Sequence, residues 1–266
     1  DTSVTGVQTC ALPICLTEET VETIYLLGEE KRIVGVTGYA TRPKQVRNEK
    51  PRISSFISAN IEKIINLEPD LVLAFSDIQA DIVSELIKKN FTVLCFNQRD
   101  INGIFNMIDM LGSILNVKLK SDKLIKDLKV NLESVNQIYN NNNKLKVYFE
   151  EWNDPYITAI KWVSELIEIA GGKDIFKNIS SNEAAKNRII SDKQIIKANP
   201  DLIIGSWCGK KVNFKEIISR PNWSNITAVK NNNIFEIKSS KILQPGPAAL
   251  TDGIEEMIKI FKKVKV

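Results

Sequence analysis

The sequence predicts an α/β protein of two similar lobes, and three observations predict it. Glu62-Lys-Ile-Ile-Asn-Leu-Glu-Pro-Asp-Leu-Val-Leu-Ala-Phe75 returns much later as Lys193-Gln-Ile-Ile-Lys-Ala-Asn-Pro-Asp-Leu-Ile-Ile-Gly-Ser206. The two prolines, Pro69 and Pro200, lie 131 residues apart, and Ile64/Ile195, Ile65/Ile196, Asp70/Asp201 and Leu71/Leu202 keep the same register. That spacing is far beyond the roughly 20–50 residues of a solenoid repeat. Helix-like and strand-like stretches also alternate along the chain, the signature of parallel βα units whose ligands gather beyond the carboxyl ends of the strands. Between the two copies lies one long polar helix pattern. Duplicated lobes of this kind suggest a ligand held in a cleft between them.

Each element has a local reason. Thr17 to Gly28 has an N-cap candidate, Glu in the first turn, apolar Val21, Ile24 and Tyr25 at helical spacing, and a glycine stop. Arg32 to Thr37 reads as a β-branched strand, and Gly38 to Pro43 as the loop leaving its carboxyl end. In each repeat an amphipathic helix ends at proline, which disfavours helical backbone in the residue before it. The apolar runs that follow, Leu71 to Phe75 and Leu202 to Gly205, read as buried parallel strands. Next come a helix over about 80–89, a strand over 92–96 and a helix over about 101–115. Lys118 to about Tyr139 carries Leu124, Ile125, Leu128, Leu132, Val135 and Ile138 at helical spacing. About 20 residues at 1.5 Å each reach ~30 Å, enough to cross from one lobe to the next; an ordinary surface helix within one lobe is the alternative. The Asn140 to Asn143 run reads as a solvated loop.

The second lobe opens with a strand over 146–151 and a loop over 152–156. A helix over about 162–170 follows and stops at Gly171-Gly172. After the second repeat come Trp207-Cys-Gly-Lys-Lys211, a helix near 214–219, a strand over 233–237, the rigid loop Gln244-Pro-Gly-Pro247 and a C-terminal helix over 248–262.

Composition narrows the function. The 266 residues are 43% hydrophobic, sufficient for a real core. The net charge of +4 comes from 36 basic and 32 acidic residues spread along the chain, with no basic block of the kind nucleic-acid binders show. Histidine is absent, which removes Ser-His-Asp and Cys-His catalysis and the commonest transition-metal ligand. The four cysteines, Cys10, Cys15, Cys95 and Cys208, have no zinc spacing; Cys95 and Cys208 read as small buried or cleft-edge residues and not as a disulfide. A metalloenzyme of related topology would need a dense Cys/His cluster, which the chain lacks. The glycines form neither a dinucleotide fingerprint nor a P-loop.

The first residues stand apart. Val4 to Ile14 resembles the in-frame translation of a short-read sequencing adaptor, so residues 1–15 are set aside from fold reasoning, with the authentic chain starting near Leu16 and its signal peptide and first strand lost. The rival reading takes Ala11 to Cys15 as a degenerate lipoprotein cleavage site, without the basic and apolar regions that should precede it. The remaining organisation is an N-terminal lobe over 16–117, a bridging helix over 118–142 and a C-terminal lobe over 143–266. No later segment reaches the ~20 apolar residues that span a bilayer.

Aromatic residues collect in the loops at the strand ends: Tyr39, Phe56 and Phe75 in the first half, Trp152, Tyr156 and Trp207 in the second. Such walls suit a large planar or macrocyclic ligand. Singly each is more often a core residue than a contact; it is their collective placement after strand ends that favours a ligand wall. Arg42, Lys210 and Lys211 could take a phosphate or carboxylate, or be solvated charge. Glu150 and Glu151 are adjacent on a strand and point to opposite faces, so they do not form an acid/base pair.

Leu16 to Pro43, Ser54 to Phe75, Glu150 to Pro155, Ser206 to Lys211 and Leu243 to Ala248 together resemble the substrate-binding proteins of cobalamin and iron-siderophore ABC importers, most of all the vitamin B12-binding branch. The resemblance implies two Rossmann-like lobes joined by one long helix, the class III periplasmic-binding-protein fold. It further implies an extracytoplasmic, monomeric, non-enzymatic protein that has no cofactor of its own. Such a protein captures a corrinoid in the interlobe cleft and hands it to a membrane permease, with a lost lipid anchor as its other link to the membrane. A ferric-siderophore binder of the same fold is the alternative. Tyr39, Phe56 and Phe75 fall where the family places first-lobe corrin contacts. Trp152 and Tyr156 fall near the second-lobe contact loop. Apart from the resemblance, Arg42, Trp207, Lys210 and Gln244 complete the candidate ligand-binding residues. Glu62 falls on the acidic residue that docks one lobe to a permease arginine. The matching second-lobe position is Lys193, with Asp192 beside it as the candidate acid. A tryptophan expected before the second repeat is replaced around Asn187 to Ile189.

Overall fold

The computed structural model describes residues 11–139 and 144–264. The chain divides into two compact units, residues 1–97 with 105–125, and residues 98–104 with 126–266. The long helix Lys118–Tyr139, 22 residues as its spacing predicts, passes from one unit into the other between Ile125 and Lys126. The Asn140 to Asn143 run and Cys10 lie outside the described residues.

The first unit is a five-stranded, all-parallel sheet. Its strands are β1 (Pro13–Cys15), β2 (Gly35–Thr37), β3 (Arg52–Ser54), β4 (Leu71–Phe75) and β5 (Val93–Phe96), in the order β3-β2-β1-β4-β5. The expectation that the fold begins near Leu16 does not hold for Pro13–Cys15. They are the central strand, and Ile14, Cys15 and Leu16 are fully buried. Residues 1–10 of that set-aside segment lie outside the described residues. Ile14, Ile53, Ile64, Val72 and Leu86 form the core on one side of the sheet. Helix Glu18–Leu26 begins after extended Thr17 and stops at Gly28, whose φ of 69° is the left-handed conformation glycine adopts without strain. Helix Ile101–Ile114 passes close to the start of the long helix. A Cβ on Gly112 would lie 2.0 Å from Ser121 Oγ, so only glycine fits there.

The second unit has β6 (Leu145–Asn153), β7 (Tyr156–Thr158), β8 (Gly172–Asp174), β9 (Leu202–Gly205) and β10 (Ile234–Glu236). Its strand order is β10-β9-β6-β7, with β8 alongside the start of β6; β7 alone is antiparallel. The loop expected over 152–156 is instead a hairpin. β6 runs on to Asn153, and Trp152 pairs with Ile157 across the strands. Tyr148, Ile195, Ile203, Trp207 and Trp223 form the core on one side. The C-terminal helix opens as a π-helical turn at Ala249–Gly253 before Ile254–Phe261 becomes regular.

The repeat is structural as well as sequential. Helix Ile61–Asn66 and β4 in the first unit match helix Asp192–Ala198 and β9 in the second, and Ile64 and Ile195 are both fully buried. The aspartates after the prolines do the same work. Asp70 accepts the Leu12 backbone N–H at 2.6 Å, and Asp201 accepts that of Lys146 at 2.9 Å. Each therefore fixes the entry of the strand next to its own, β1 or β6, and so sets the register of a sheet centre.

Candidate functional site

In the first unit the predicted aromatics sit at the carboxyl ends of the strands. Tyr39 follows β2 in a turn tied to β3 by the 2.7 Å bond from Gly38 N–H to Ser54 O, and its side chain is 52% exposed. Phe56 lies in the Ser55–Ser58 turn after β3 and is half-buried. Phe75 ends β4 and is only 6% exposed.

One residue that sequence reasoning missed holds this end together. The Gln79 amide is fully buried; its Nε2 donates to Phe56 O at 2.9 Å and Leu16 O at 3.3 Å, and its Oε1 accepts from Phe75 N–H at 3.0 Å. A single side chain thus ties the exits of β1, β3 and β4. Its only sequence signal was a polar residue just beyond a strand end. Beside it, Ser76, Asp77, Cys95 and Asn97 line the polar part of a cavity of about 550 Å³.

Arg42 is not a bare cation. Its Nε donates to Glu22 Oε1 at 2.9 Å, and Glu22 belongs to a buried acidic group with Glu18 and Glu19 on helix Glu18–Leu26. Thr41 donates to Glu18 through its N–H at 3.1 Å and its hydroxyl at 3.0 Å; Thr17 donates to Glu19 at 2.6 Å. These bonds do not offset loss of water, and burial pushes the Glu18 and Glu19 carboxyls up to about 7. Glu62 is exposed in the first turn of helix Ile61–Asn66, with no ion pair among the described residues.

In the second unit the adjacent acids of β6, at a shift in register against β7, take separate partners. Glu150 is fully buried and accepts Arg220 at 2.6 and 2.9 Å, the Trp207 indole N–H at 3.0 Å and the Tyr148 hydroxyl at 3.0 Å. The Arg220 guanidinium lies 4.4 Å from the Tyr156 ring centre and 4.5 Å from that of Trp223. Glu151 meets Arg188, which is 2% exposed and also donates to Thr158 O. This buried arginine stands where the resemblance expects a tryptophan.

That network corrects several expectations. Trp207 is 1% exposed with its N–H committed to Glu150, so it is a core residue and offers no face to a ligand. Asp192 is half-buried and accepts the Trp223 indole N–H at 2.8 Å, so its carboxylate is engaged within its own unit. Cys95 and Cys208 are exposed, whereas the Cys15 thiol is buried and pushed up to about 12 by loss of water. Trp152 and Tyr156 remain partly exposed on the hairpin, and Gln244 is half-buried before Pro245. Lys210 is exposed, donates to Asn153 Oδ1 at 2.9 Å, and lies 4.9 and 4.8 Å from the ring centres of Trp152 and Trp207. Among the described residues no cluster of His, Cys, Asp or Glu could hold a metal ion, and no helix is long and apolar enough to cross a membrane.

The comparisons with known proteins agree with this architecture. Residues 14–241 match the periplasmic binding protein family. An uncharacterised ABC transporter substrate-binding lipoprotein of Bacillus subtilis is 29% identical over 260 residues, covering 92% of this chain and 77% of the relative. A vitamin B12-binding protein of Vibrio parahaemolyticus is 26% identical, covering 95% and 90%. The crystal structure of a periplasmic solute-binding protein of Staphylococcus epidermidis superposes with a TM-score of 0.81 at 23% identity, covering 96% of this chain and all of that one. Proteins of this family bind a small solute outside the cytoplasm and carry out no bond chemistry. The chain belongs to the periplasmic binding protein family and is an ABC-transporter substrate-binding protein.

Proposed function

We propose that the protein captures cobalamin or a related corrinoid outside the cytoplasmic membrane and delivers it to the permease of an ABC importer. The observation that carries this reading is the set of solvent-reachable aromatic faces at strand ends, Tyr39 and Phe56 in one unit and Trp152 and Tyr156 in the other, in a chain without histidine. Aromatic faces contribute broad apolar contact with little entropy to lose. A corrinoid brings its own cobalt ligands and asks the protein for packing and hydrogen bonds alone. The relative named as a vitamin B12-binding protein supports the same choice.

A ferric siderophore is the second reading. An anionic chelate needs available cations; Arg42 is engaged by Glu22 and Lys210 by Asn153 and two indole rings, whereas Lys211 is exposed. The deciding experiment is calorimetry with cyanocobalamin, dicyanocobinamide, hemin and ferric hydroxamates. Saturable binding of a corrinoid at micromolar concentrations is expected. Binding of a siderophore or hemin with none to either corrinoid would overturn the reading.

A further inference from the structure

β3 is the outer strand of the first sheet, and its register against β2 shifts between Arg52 and Ser54, which oppose the adjacent residues Val36 and Thr37. Arg52, Ile53 and Ser54 all reach one hollow at this irregular edge. The Ser55–Ser58 turn and the start of helix Ile61–Asn66 fold back beside them and form an open surface cavity of about 420 Å³ whose polar lining is Arg52, Ser54, Ser55, Ser58, Asn60 and Lys63. No carboxylate lines it.

Its polar groups are unevenly satisfied. The Asn60 carbonyl oxygen caps Lys63 N–H at 2.9 Å; the Ser55 and Ser58 hydroxyls share a hydrogen bond of 2.6 Å, and the Ser55 hydroxyl also donates to Ser58 O at 3.4 Å. The Ser54 hydroxyl is buried with no partner. The side chains of Arg52 and Lys63 are exposed and have no hydrogen-bond or ion-pair partner among the described residues. An edge strand often carries charge to deter pairing with other sheets, which accounts for Arg52 alone. It does not bring a lysine from another element and three serines to the same hollow.

We propose that this cavity is an oxyanion site that takes a phosphate group, with Arg52 and Lys63 supplying charge and the unpartnered Ser54 hydroxyl supplying a directed donor. Phosphate of that chemistry has two sources, free inorganic phosphate and the phosphodiester of a corrinoid's nucleotide loop. The second rests on the corrinoid reading above, and Phe56 lies in the turn between Ser55 and Ser58, two of the serines that line the cavity.

The test titrates sodium phosphate into the full chain at constant ionic strength, following backbone amide resonances over residues 52–63. Saturable shifts confined to this segment are expected in the native protein. Arg52→Ala with Lys63→Ala, both exposed positions, should keep the thermal unfolding midpoint and weaken phosphate binding by about tenfold or more. Absence of saturable shifts, or shifts of equal strength in the double variant, overturns the proposal. The same variant then separates the sources. If the phosphate belongs to the cargo, cyanocobalamin binding weakens several-fold while that of dicyanocobinamide, which lacks the phosphodiester, is unchanged; if it is free phosphate, neither changes. Should the native protein bind no corrinoid, the corrinoid reading fails and the inorganic phosphate titration still decides the site.

Discussion

Arg220 grips the fully buried carboxylate of Glu150 with both terminal nitrogens, at 2.6 and 2.9 Å. Two residues 70 positions apart are thereby joined beneath the hairpin that carries Trp152 and Tyr156. Removing one partner of such a pair leaves a charge buried without compensation, typically a loss of about 3–5 kcal/mol, whereas replacing both by apolar groups is often near neutral. Arg220→Ala should therefore lose about 3–5 kcal/mol in urea unfolding. Glu150→Gln combined with Arg220→Met should lose less than Arg220→Ala alone. A double variant as damaged as the sum of the singles would show that the two side chains act independently.

The aromatic residues divide by the same criterion of burial. Trp207 fills the core and bonds Glu150, so Trp207→Ala should cost about 3–5 kcal/mol of stability. Tyr39 is half exposed, so Tyr39→Ala should change stability by less than about 0.5 kcal/mol. The same change should weaken corrinoid binding about tenfold, the usual scale for an aromatic contact residue. Paired measurements of unfolding midpoint and corrinoid affinity check both. Unchanged affinity in Tyr39→Ala would remove that residue from the site.

These contrasts also show which features are legible in the sequence. The repeat can be read because Ile64, Pro69, Asp70 and their partners satisfy the same local demands in both units: a buried helix face, a helix stop and a carboxylate to hold the neighbouring strand. The helix Lys118–Tyr139 can be read because 22 residues give many turns of one pattern. β1 falls in the first residues, set aside from fold reasoning, while β3 and β8, no shorter than β2 and β10, lack a β-branched or apolar run and are defined only by neighbouring strands. The aromatic positions are visible, but not their direction. Trp207 turns inward because Glu150 offers its indole N–H a buried acceptor, and that acceptor lies 57 residues away. Gln79 looks like an ordinary loop glutamine until three chain segments meet around its amide.

The acidic group on helix Glu18–Leu26 sets a pH dependence. Glu18 and Glu19 have carboxyl pKa values pushed up from 4.5 to about 7 by burial. The folded protein thus holds protons that the unfolded chain releases, so the stability linked to them is fully present below the ordinary carboxylate range and is lost as pH rises to about 7. Carboxyls held low by lysines, such as Asp100 beside Lys161, titrate below that window and act in the opposite direction only in stronger acid. The urea midpoint should therefore be higher at pH 5 than at pH 8, by an amount worth roughly 1–3 kcal/mol. Glu18→Gln keeps an acceptor for Thr41 and removes the ionisation. It should raise stability at pH 8 and flatten the profile. A native midpoint that climbs from pH 5 to pH 8 contradicts this assignment.

The two repeat helices also make different predictions for delivery to the permease. Glu62 is exposed with no ion pair among the described residues, which suits an acid reserved for a partner protein. Asp192, at the start of the matching helix, already accepts from Trp223. Glu62→Lys should leave unfolding and corrinoid affinity unchanged while lowering stimulation of the importer's ATPase in proteoliposomes containing the cognate permease. Asp192→Ala should do the reverse, costing about 1–3 kcal/mol of stability because it leaves an indole N–H unpaired, without a specific delivery defect once the protein is folded. If Glu62→Lys delivered corrinoid as well as the native protein, docking would have to be assigned to another surface of the first unit. If Asp192→Ala lost delivery with its stability intact, the second repeat helix would be a docking element despite its internal bonds.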